Sequence, residues 1–296
     1  MLRFPRFAAT TLVVVSLFFA SRVPAADDSS ALASFDAAWS RRAEGAVGGT
    51  AREGSVEPLL AAGRSAVAAN PASLPARWRL MRALYFEGEH ATTGNAAKKD
   101  AFEKGKRLGE ETLDLIRKEA GVAAGKDLSG ATPVELVPHV KGRPEVVPCF
   151  LWASVNWGKW ALVFGKTAAA RQGAAAKIRD YATAVVRLDP SFDEAGGYRV
   201  LGRLHHQTPS IPFITGWASR TEALKNLRLA VEAAPRNFVN RLYLAEATWD
   251  YEKERRAEAR RMLEALVADA PSAALAVEDA RAQEDARALL AAWGKG

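Results

Sequence analysis

Apolar residues recur along most of this chain at intervals of three or four positions, and no stretch alternates between apolar and polar with a period of two. Phe102, Leu108 and Leu115, for example, form one apolar stripe within a helix predicted from residue 96 to about residue 120. Spacing of this kind places the apolar side chains on one face of an α-helix. The pattern therefore predicts an all-α protein without β-sheet.

The clearest pattern lies between Phe150 and Pro235, where two helical hairpins follow one another. Tetratricopeptide repeats carry Trp-x2-Leu-Gly-x2-Tyr on a first helix, and Ala-x3-Phe followed by Pro on a second helix. The residues with the first spacing are Tyr198, Leu201, Gly202 and His205, and those with the second are Ala223, Leu227 and Pro235. Small residues of this pattern let two helices approach closely, and the proline ends the second helix because it cannot donate a backbone hydrogen bond.

Prolines that end the predicted second helices recur along the chain, at Pro71, Pro190, Pro235 and Pro271. The interval from Pro235 to Pro271 is close to the ~34 residues of one tetratricopeptide unit. The interval before it is longer, which places the additional residues in the loop at 208–216. Because each hairpin needs neighbours to cover its apolar faces, these repeats predict a superhelical stack of tetratricopeptide-like hairpins.

The N-terminal half repeats the pattern less regularly. Trp78, Met81 and Tyr85 keep the first-helix spacing, but Arg82 stands at the position of the glycine. Glycines and prolines then become frequent, which marks a connection between the two halves. The predicted organisation is a signal segment at 1–25, helical hairpins at 26–120, a connection at 121–148 with one short helix near 133–139, and repeats at 149–296 that end in a capping helix.

The first 25 residues have the features of a secretory signal. Its parts are the basic Arg3 and Arg6, an apolar run at 8–20 and the small-residue cleavage site Val23-Pro24-Ala25. We expect cleavage near Ala26 and a periplasmic or secreted protein; the alternative is an uncleaved membrane anchor. The single cysteine, Cys149, cannot form an internal disulfide and is predicted to be a buried apolar residue.

Charge and motif content exclude several classes of function. The net charge of +7 over 296 residues is mild, and no basic run is interleaved with aromatic residues, so we expect no nucleic-acid partner. We find no phosphate-binding glycine loop and no Gly-x-Ser-x-Gly motif. Adjacent His205 and His206 point about 100° apart on a helix and have no further ligand at metal-binding spacing. The sequence therefore predicts no catalytic residues, no metal and no cofactor.

The predicted helix at 150–164 offers the first candidate binding residues. Trp152, Asn156 and Lys159 share one of its faces. An aromatic wall beside convergent polar groups is typical of a ligand pocket. These residues therefore predict a groove walled by Trp152. The alternative is that both faces of the helix are packed and that Asn156 serves a local hydrogen-bond network.

Arg199, Arg203 and His206 share one face of the next first helix and form the second candidate set. First helices line the inner surface of a tetratricopeptide superhelix, so this face is expected to meet that of Lys159. Arginines sheltered from water bind carboxylates through paired hydrogen bonds. The two sets together predict a site for an anionic ligand or an acidic peptide, and the alternative is a solvated face without a ligand.

The run from Phe150 to Asn240 resembles the T component of tripartite ATP-independent periplasmic (TRAP) transporters, a family of exported, tetratricopeptide-like helical proteins. The matching features are the helix FLWASVNWGKWALVF, the passage RLDPSFDEAGGYRVLGRL, the loop from Pro209 to Gly216 and the helix NLRLAVEAAPRN. The resemblance implies a non-enzymatic periplasmic partner of a solute-binding protein, with self-association and a cavity that passes a ligand. The same stretch is similar to the regulator of microtubule dynamics family, but the bacterial-type signal argues against that role.

These observations predict a binding or scaffolding module for a protein partner, which the resemblance identifies as the solute-binding protein of a TRAP-type transporter. The rival prediction is a carrier of a small anionic ligand in a tryptophan-lined interior. A third alternative is an enzyme with a dispersed site. A closed cavity around Trp152, Asn156 and Arg199 would favour the carrier, and an open apolar groove would favour the scaffold.

Overall fold

The computed structural model describes residues 28–52, 54–92, 94–209 and 215–294. The predicted signal at 1–25 and the tip of the predicted loop at 208–216 lie outside these residues. The part of the chain that is described is all-α, as predicted. Its only β pairing is an isolated bridge between Val47 and Thr50.

Thirteen α-helices make up most of the described residues. In chain order they are α1 (Asp28–Ser40), α2 (Glu57–Ala69), α3 (Leu74–Phe86), α4 (Asn95–Ala124), α5 (Pro133–Val140), α6 (Val146–Phe164), α7 (Lys166–Arg171), α8 (Ala174–Leu188), α9 (Phe192–Gln207), α10 (Arg220–Ala233), α11 (Phe238–Tyr251), α12 (Arg256–Ala268) and α13 (Ala276–Trp293). A π-helical turn, Glu87–Ala91, directly continues α3. Within the ranges given above, no helix is long and apolar enough to cross a membrane.

Local sequence explains where these helices begin and end. The four prolines predicted to end second helices follow closely after α2, α8, α10 and α12. The predicted short helix is α5, whose first turn is closed by a capping box in which Thr132 and Glu135 bond each other's backbone N–H groups. Pro148 lies in the first turn of α6, where a backbone N–H has no partner within the helix, so α6 begins earlier than predicted.

Two sets of helix contacts build the core. Helices close in sequence pack in pairs, among them α4 with α6, α6 with α8, and α9 with α10. A second set forms one series along the chain, in which α3 contacts α6, α6 contacts α9, α9 contacts α11, and α11 contacts α13. The largest apolar cluster runs from Phe35 to Val277 and contains the fully buried Trp157 and Trp160. Cys149 is also buried there, as predicted, and burial raises the pKa of its thiol.

Gly202 lies at the contact between α9 and α10. A Cβ atom at this position would come 2.5 Å from Cγ of Leu227 and 3.0 Å from its backbone nitrogen. Leu201, Ala223 and Leu227, the other apolar residues of the predicted repeat, are buried around the same contact. The small residue therefore sets how closely these two helices approach.

The segment that follows α1 packs against α13, so the two ends of the described chain are in contact. Arg42 is buried there and pairs with Glu278 at 2.7 Å. The backbone N–H of Gly49 donates to Oε1 of Glu284 at 2.9 Å. A Cβ on Gly49 would lie 2.6 Å from Cα of Arg281, so only glycine fits this crossing. These contacts bring the aromatic side chains around α1 and α3 close to α13.

Candidate binding surface

Charged and aromatic side chains lie along one series of contacting helices, which comprises α3 with its π-helical turn, α6, α9 and α11; this set of side chains is here called the polar row. Its members are Tyr85, Glu89, Lys159, Arg199, Arg203, His206, Tyr243, Glu246 and Asp250. These helices contact one another in that order, which is why side chains distant in sequence meet. The row thus includes Lys159 and both arginines of the second candidate set, and the charge of Arg203 lies close enough to repel that of Lys159.

Lys159 and Glu89 form the ion pair at the α3 end of the polar row. Nζ of Lys159 lies 2.7 Å from Oε2 of Glu89, and each side chain retains about a fifth of its exposed area. Burial alone would lower the pKa of Lys159, but the carboxylate of Glu89 outweighs it and the pKa is raised. Burial would likewise raise the pKa of Glu89, and Lys159 reverses that shift. Both groups are therefore ionised, and each neutralises the other.

Arg203 and His206 of α9 pair with two carboxylates one turn apart on α11. Nη1 of Arg203 lies 2.6 Å from Oε2 of Glu246, and the guanidinium stacks 4.3 Å from the ring centre of Tyr243. Nε2 of His206 lies 2.8 Å from Oδ2 of Asp250. Nη1 of Arg203 is also 3.3 Å from Nδ1 of His206 and can only donate, so Nδ1 accepts and Nε2 carries the hydrogen.

His206, Glu246 and Asp250 are close enough to be considered as metal ligands, with ligand atoms within 4.8 Å of one another. A histidine that binds metal through Nε2 normally donates a hydrogen bond from Nδ1. Here Nδ1 faces a donor, Arg203, whose own positive charge lies against Glu246. The guanidinium thus already pairs with Glu246, and Nδ1 of His206 faces a donor and not the acceptor that a metal-binding histidine usually has.

Arg199 serves the backbone of its own helix. Asp193, Glu194 and Ala195 have φ values of 51°, 53° and 64°, so the first turn of α9 is left-handed. The guanidinium of Arg199 pairs with Oδ2 of Asp193 at 2.6 Å and donates to Oδ1 of Asn240 at 3.1 Å. It also reaches the backbone carbonyls of Asp193 and Glu194. Its donors are therefore used to hold this turn against α11.

Asn156 does not lie on the polar row, contrary to the prediction that it faces a groove. Its side chain is fully buried, and its Nδ2 donates to the carbonyls of Met81 at 3.0 Å and Trp152 at 2.8 Å. Gly105 of α4 packs directly against it. Asn156 thus follows the packing alternative. Trp152 is 7% exposed and belongs to the apolar core, and its ring centre lies 5.5 Å from that of Tyr85.

Arg82 is unusual in the sequence because of its position in the repeat, but the sequence alone predicts no role for it. Its guanidinium carbon lies 3.8 Å from the ring centre of Trp39 and 5.3 Å from that of Trp152. No carboxylate of the described residues lies within 4.0 Å of it, and its buried Nε has no hydrogen-bond partner. Burial lowers its pKa. The signal in the sequence was an arginine at the glycine position of the repeat.

Comparison with known proteins adds no family to this picture. No protein-family model matches the chain, and no curated protein matches it. The polar row and Arg82 are therefore the features that bear on function.

Proposed function

We propose that this chain is an exported, non-enzymatic binding protein built as a superhelical stack of tetratricopeptide-like hairpins, with the polar row on its concave surface. The contacts of α3 with α6, α6 with α9 and α9 with α11 support this arrangement. In sequence, α4, α8 and α10 lie between these helices and pack against them. They match the alternation of first and second helices in a repeat array. The partner we propose is the solute-binding protein of a TRAP-type transporter.

The observation that carries the proposal is the pairing of charges between successive helices of the row. Lys159 joins α6 to the π-helical turn, and Arg203 joins α9 to α11. Both pairs keep part of their surface in solvent, so a partner can contact them without unfolding any helix. A rigid surface that alternates positive and negative groups favours a partner with the complementary pattern and rejects others.

A charge exchange tests this surface. In Arg203→Glu with Glu246→Arg, the internal ion pair is kept but its polarity towards the partner is reversed. Calorimetric titration with the periplasmic solute-binding protein of a TRAP transporter from the same organism should show at least a tenfold loss of affinity, about 1.4 kcal/mol. The matched control is Arg107→Glu, a charge reversal on α4 whose side chain is 69% exposed. Equal affinity of the exchange variant and the wild type would refute the assignment of this surface.

A second candidate function, carriage of a small anionic ligand, is favoured by Arg82. Every cation of the polar row faces its own carboxylate, so the row as a whole attracts anions weakly. The guanidinium of Arg82, which lies outside the row, is near two indole rings and has no carboxylate of the described residues within 4.0 Å.

A further inference from the structure

We propose that Arg82 binds the carboxylate of a small planar monoanion, whose body lies against the partly exposed rings of Trp39 and Tyr85. This inference rests on the second candidate function and names its ligand class and principal residue. The aromatic residues concerned form a closed series of contacts that begins and ends at Arg82: Trp39, Phe86, His90, Tyr85 and Trp152.

The contacts of this aromatic group are close around the whole circuit. Trp39 meets Phe86 at 5.6 Å between ring centres, and Phe86 meets His90 at 4.9 Å. Tyr85 lies 6.1 Å from His90 and 5.5 Å from Trp152. Aromatic side chains at such distances hold one another in place. The guanidinium is therefore held at a defined position, which reduces the side-chain entropy that the protein would otherwise lose on binding a ligand.

The Nε atom of the Arg82 guanidinium faces the protein interior, and the two Nη atoms face the surface. Nε of Arg82 is buried and has no hydrogen-bond partner, whereas Nη1 and Nη2 are not among the buried atoms that lack a partner. Neither Nη atom makes a hydrogen bond to the described residues, so both remain in contact with solvent. A carboxylate accepts two parallel hydrogen bonds from this end of an arginine.

Neighbouring charges determine the net charge of the ligand that this site favours. Arg42 is neutralised by Glu278, Arg79 by Asp36, and Arg199 by Asp193. One positive charge therefore remains in this neighbourhood, that of Arg82. The fields of Asp193 and Glu278 reach its guanidinium together with the opposing fields of Arg42 and Arg79, so the surroundings leave about one positive charge for a ligand to neutralise. The site is therefore suited to a monocarboxylate and disfavours phosphate and dicarboxylates.

A second unpartnered group belongs to the same aromatic series. Nδ1 of His90 lies 3.2 Å from the carbonyl oxygen of Gly49, so Nδ1 donates and Nε2 is left as an acceptor. Nε2 is buried without a partner, and the whole side chain is 4% exposed. His90 lies in the π-helical turn, a form of backbone that is often found at functional sites. Two polar groups left without partners in one aromatic group are unusual in a folded protein.

The experiment uses the full chain and titrates it with benzoate while tryptophan fluorescence and heat are recorded. Benzoate should bind and change the fluorescence of the indoles beside Arg82. Benzamide, which has the same shape without the charge, should bind at least tenfold more weakly, and so should the dianion phthalate. If benzoate and benzamide bind equally, or if neither binds, the proposal is overturned.

Variants separate Arg82 from the general charge of the protein. Arg82→Gln should lower benzoate affinity at least tenfold and leave the melting temperature unchanged or higher, because it removes an unpaired, partly buried cation. The matched control is Arg79→Gln, on the same helix and also stacked on a tryptophan, Trp78 at 4.4 Å, but paired with Asp36. Its affinity should remain within twofold of the wild type. Equal losses in both variants would overturn the role of Arg82.

Further measurements in the same experiment show whether the role of Arg82 fails or the proposed carriage of anions fails. If benzoate binds the wild type and Arg82→Gln alike, the protein carries anions but Arg82 is not the residue that holds them. If hexaglutamate binds through Arg82 and benzoate does not, the carboxylate comes from an acidic peptide, and the small-ligand inference is overturned. Binding of the solute-binding protein is measured separately and is independent of either result.

Discussion

Replacing Arg199 by alanine should destabilise the protein, because this side chain holds a backbone turn that is unfavourable by itself. Three successive residues without glycine adopt left-handed φ angles at Asp193, Glu194 and Ala195. Each such residue costs roughly 1–2 kcal/mol relative to the right-handed conformation. The contacts of Arg199 offset part of that cost in the native state, and alanine would remove all of them at once.

The expected magnitude follows from the contacts that are lost. The guanidinium makes one short ion pair with Asp193 and one hydrogen bond with Asn240, and its side chain is 15% exposed. A hydrogen bond to a charged group contributes roughly 1.5–3 kcal/mol, and breaking a fully buried ion pair costs more. Asp193 is partly exposed and can be hydrated after the change. We therefore expect a loss of about 2–4 kcal/mol in the free energy of unfolding.

Urea denaturation followed by circular dichroism measures this loss as a lower transition midpoint. Arg199→Lys should lie between the wild type and the alanine variant, because lysine keeps the charge but not the planar set of donors. Arg236→Ala is the control, since that arginine is exposed and should change stability by no more than about 0.5 kcal/mol. A loss below about 1 kcal/mol for Arg199→Ala would refute the view that this side chain holds the left-handed turn.

Two further predictions concern stability. Gly202→Leu should cost roughly 1–3 kcal/mol, because even its Cβ would lie 2.5 Å from Leu227 at the contact between α9 and α10; an unchanged urea midpoint would show that this contact is not tight. Asp279 is buried, and its pKa is raised from 3.8 to about 6 by that burial. The folded chain therefore binds this proton more tightly than the unfolded chain, and stability falls as the pH rises from about 4 to about 6. Asp279→Asn should be more stable than the wild type at pH 7 and equal to it at pH 4, in urea titrations at both pH values. Equal stability at both pH values would contradict this assignment.

The helical class and many helix ends follow from the sequence alone, because both depend on interactions between residues close in the chain. Prolines end α2, α8, α10 and α12 at the predicted places, since proline lacks the backbone N–H whatever surrounds it. The short helix α5 lies where one short helix is predicted within the connection, near 133–139. The start of α6 was misjudged because Pro148 is acceptable in a first turn, where that N–H is not needed.

The candidate site was predicted only in part. Spacing placed Arg199, Arg203 and His206 on one face of α9, but spacing does not reveal which carboxylates the packing brings to that face. The partners of Arg203 and His206 come from α11, more than forty positions later in the chain. The prediction that Asn156 faces a groove is wrong because helical periodicity shows which residues share a face. It does not show which other helices that face contacts. In the folded chain that face meets α3 and α4.

The sequence by itself thus determined which segments are helical and which positions must be small or apolar, because backbone hydrogen bonding and side-chain periodicity act within a few residues. Only the tertiary structure decided the electrostatics. Whether a cation is neutralised depends on groups within about 4 Å of it, and for Lys159 and Arg203 those groups come from other helices. Arg82 differs from these two cations because packing placed indole rings beside its guanidinium. The neighbouring carboxylates of the described residues each pair with another cation.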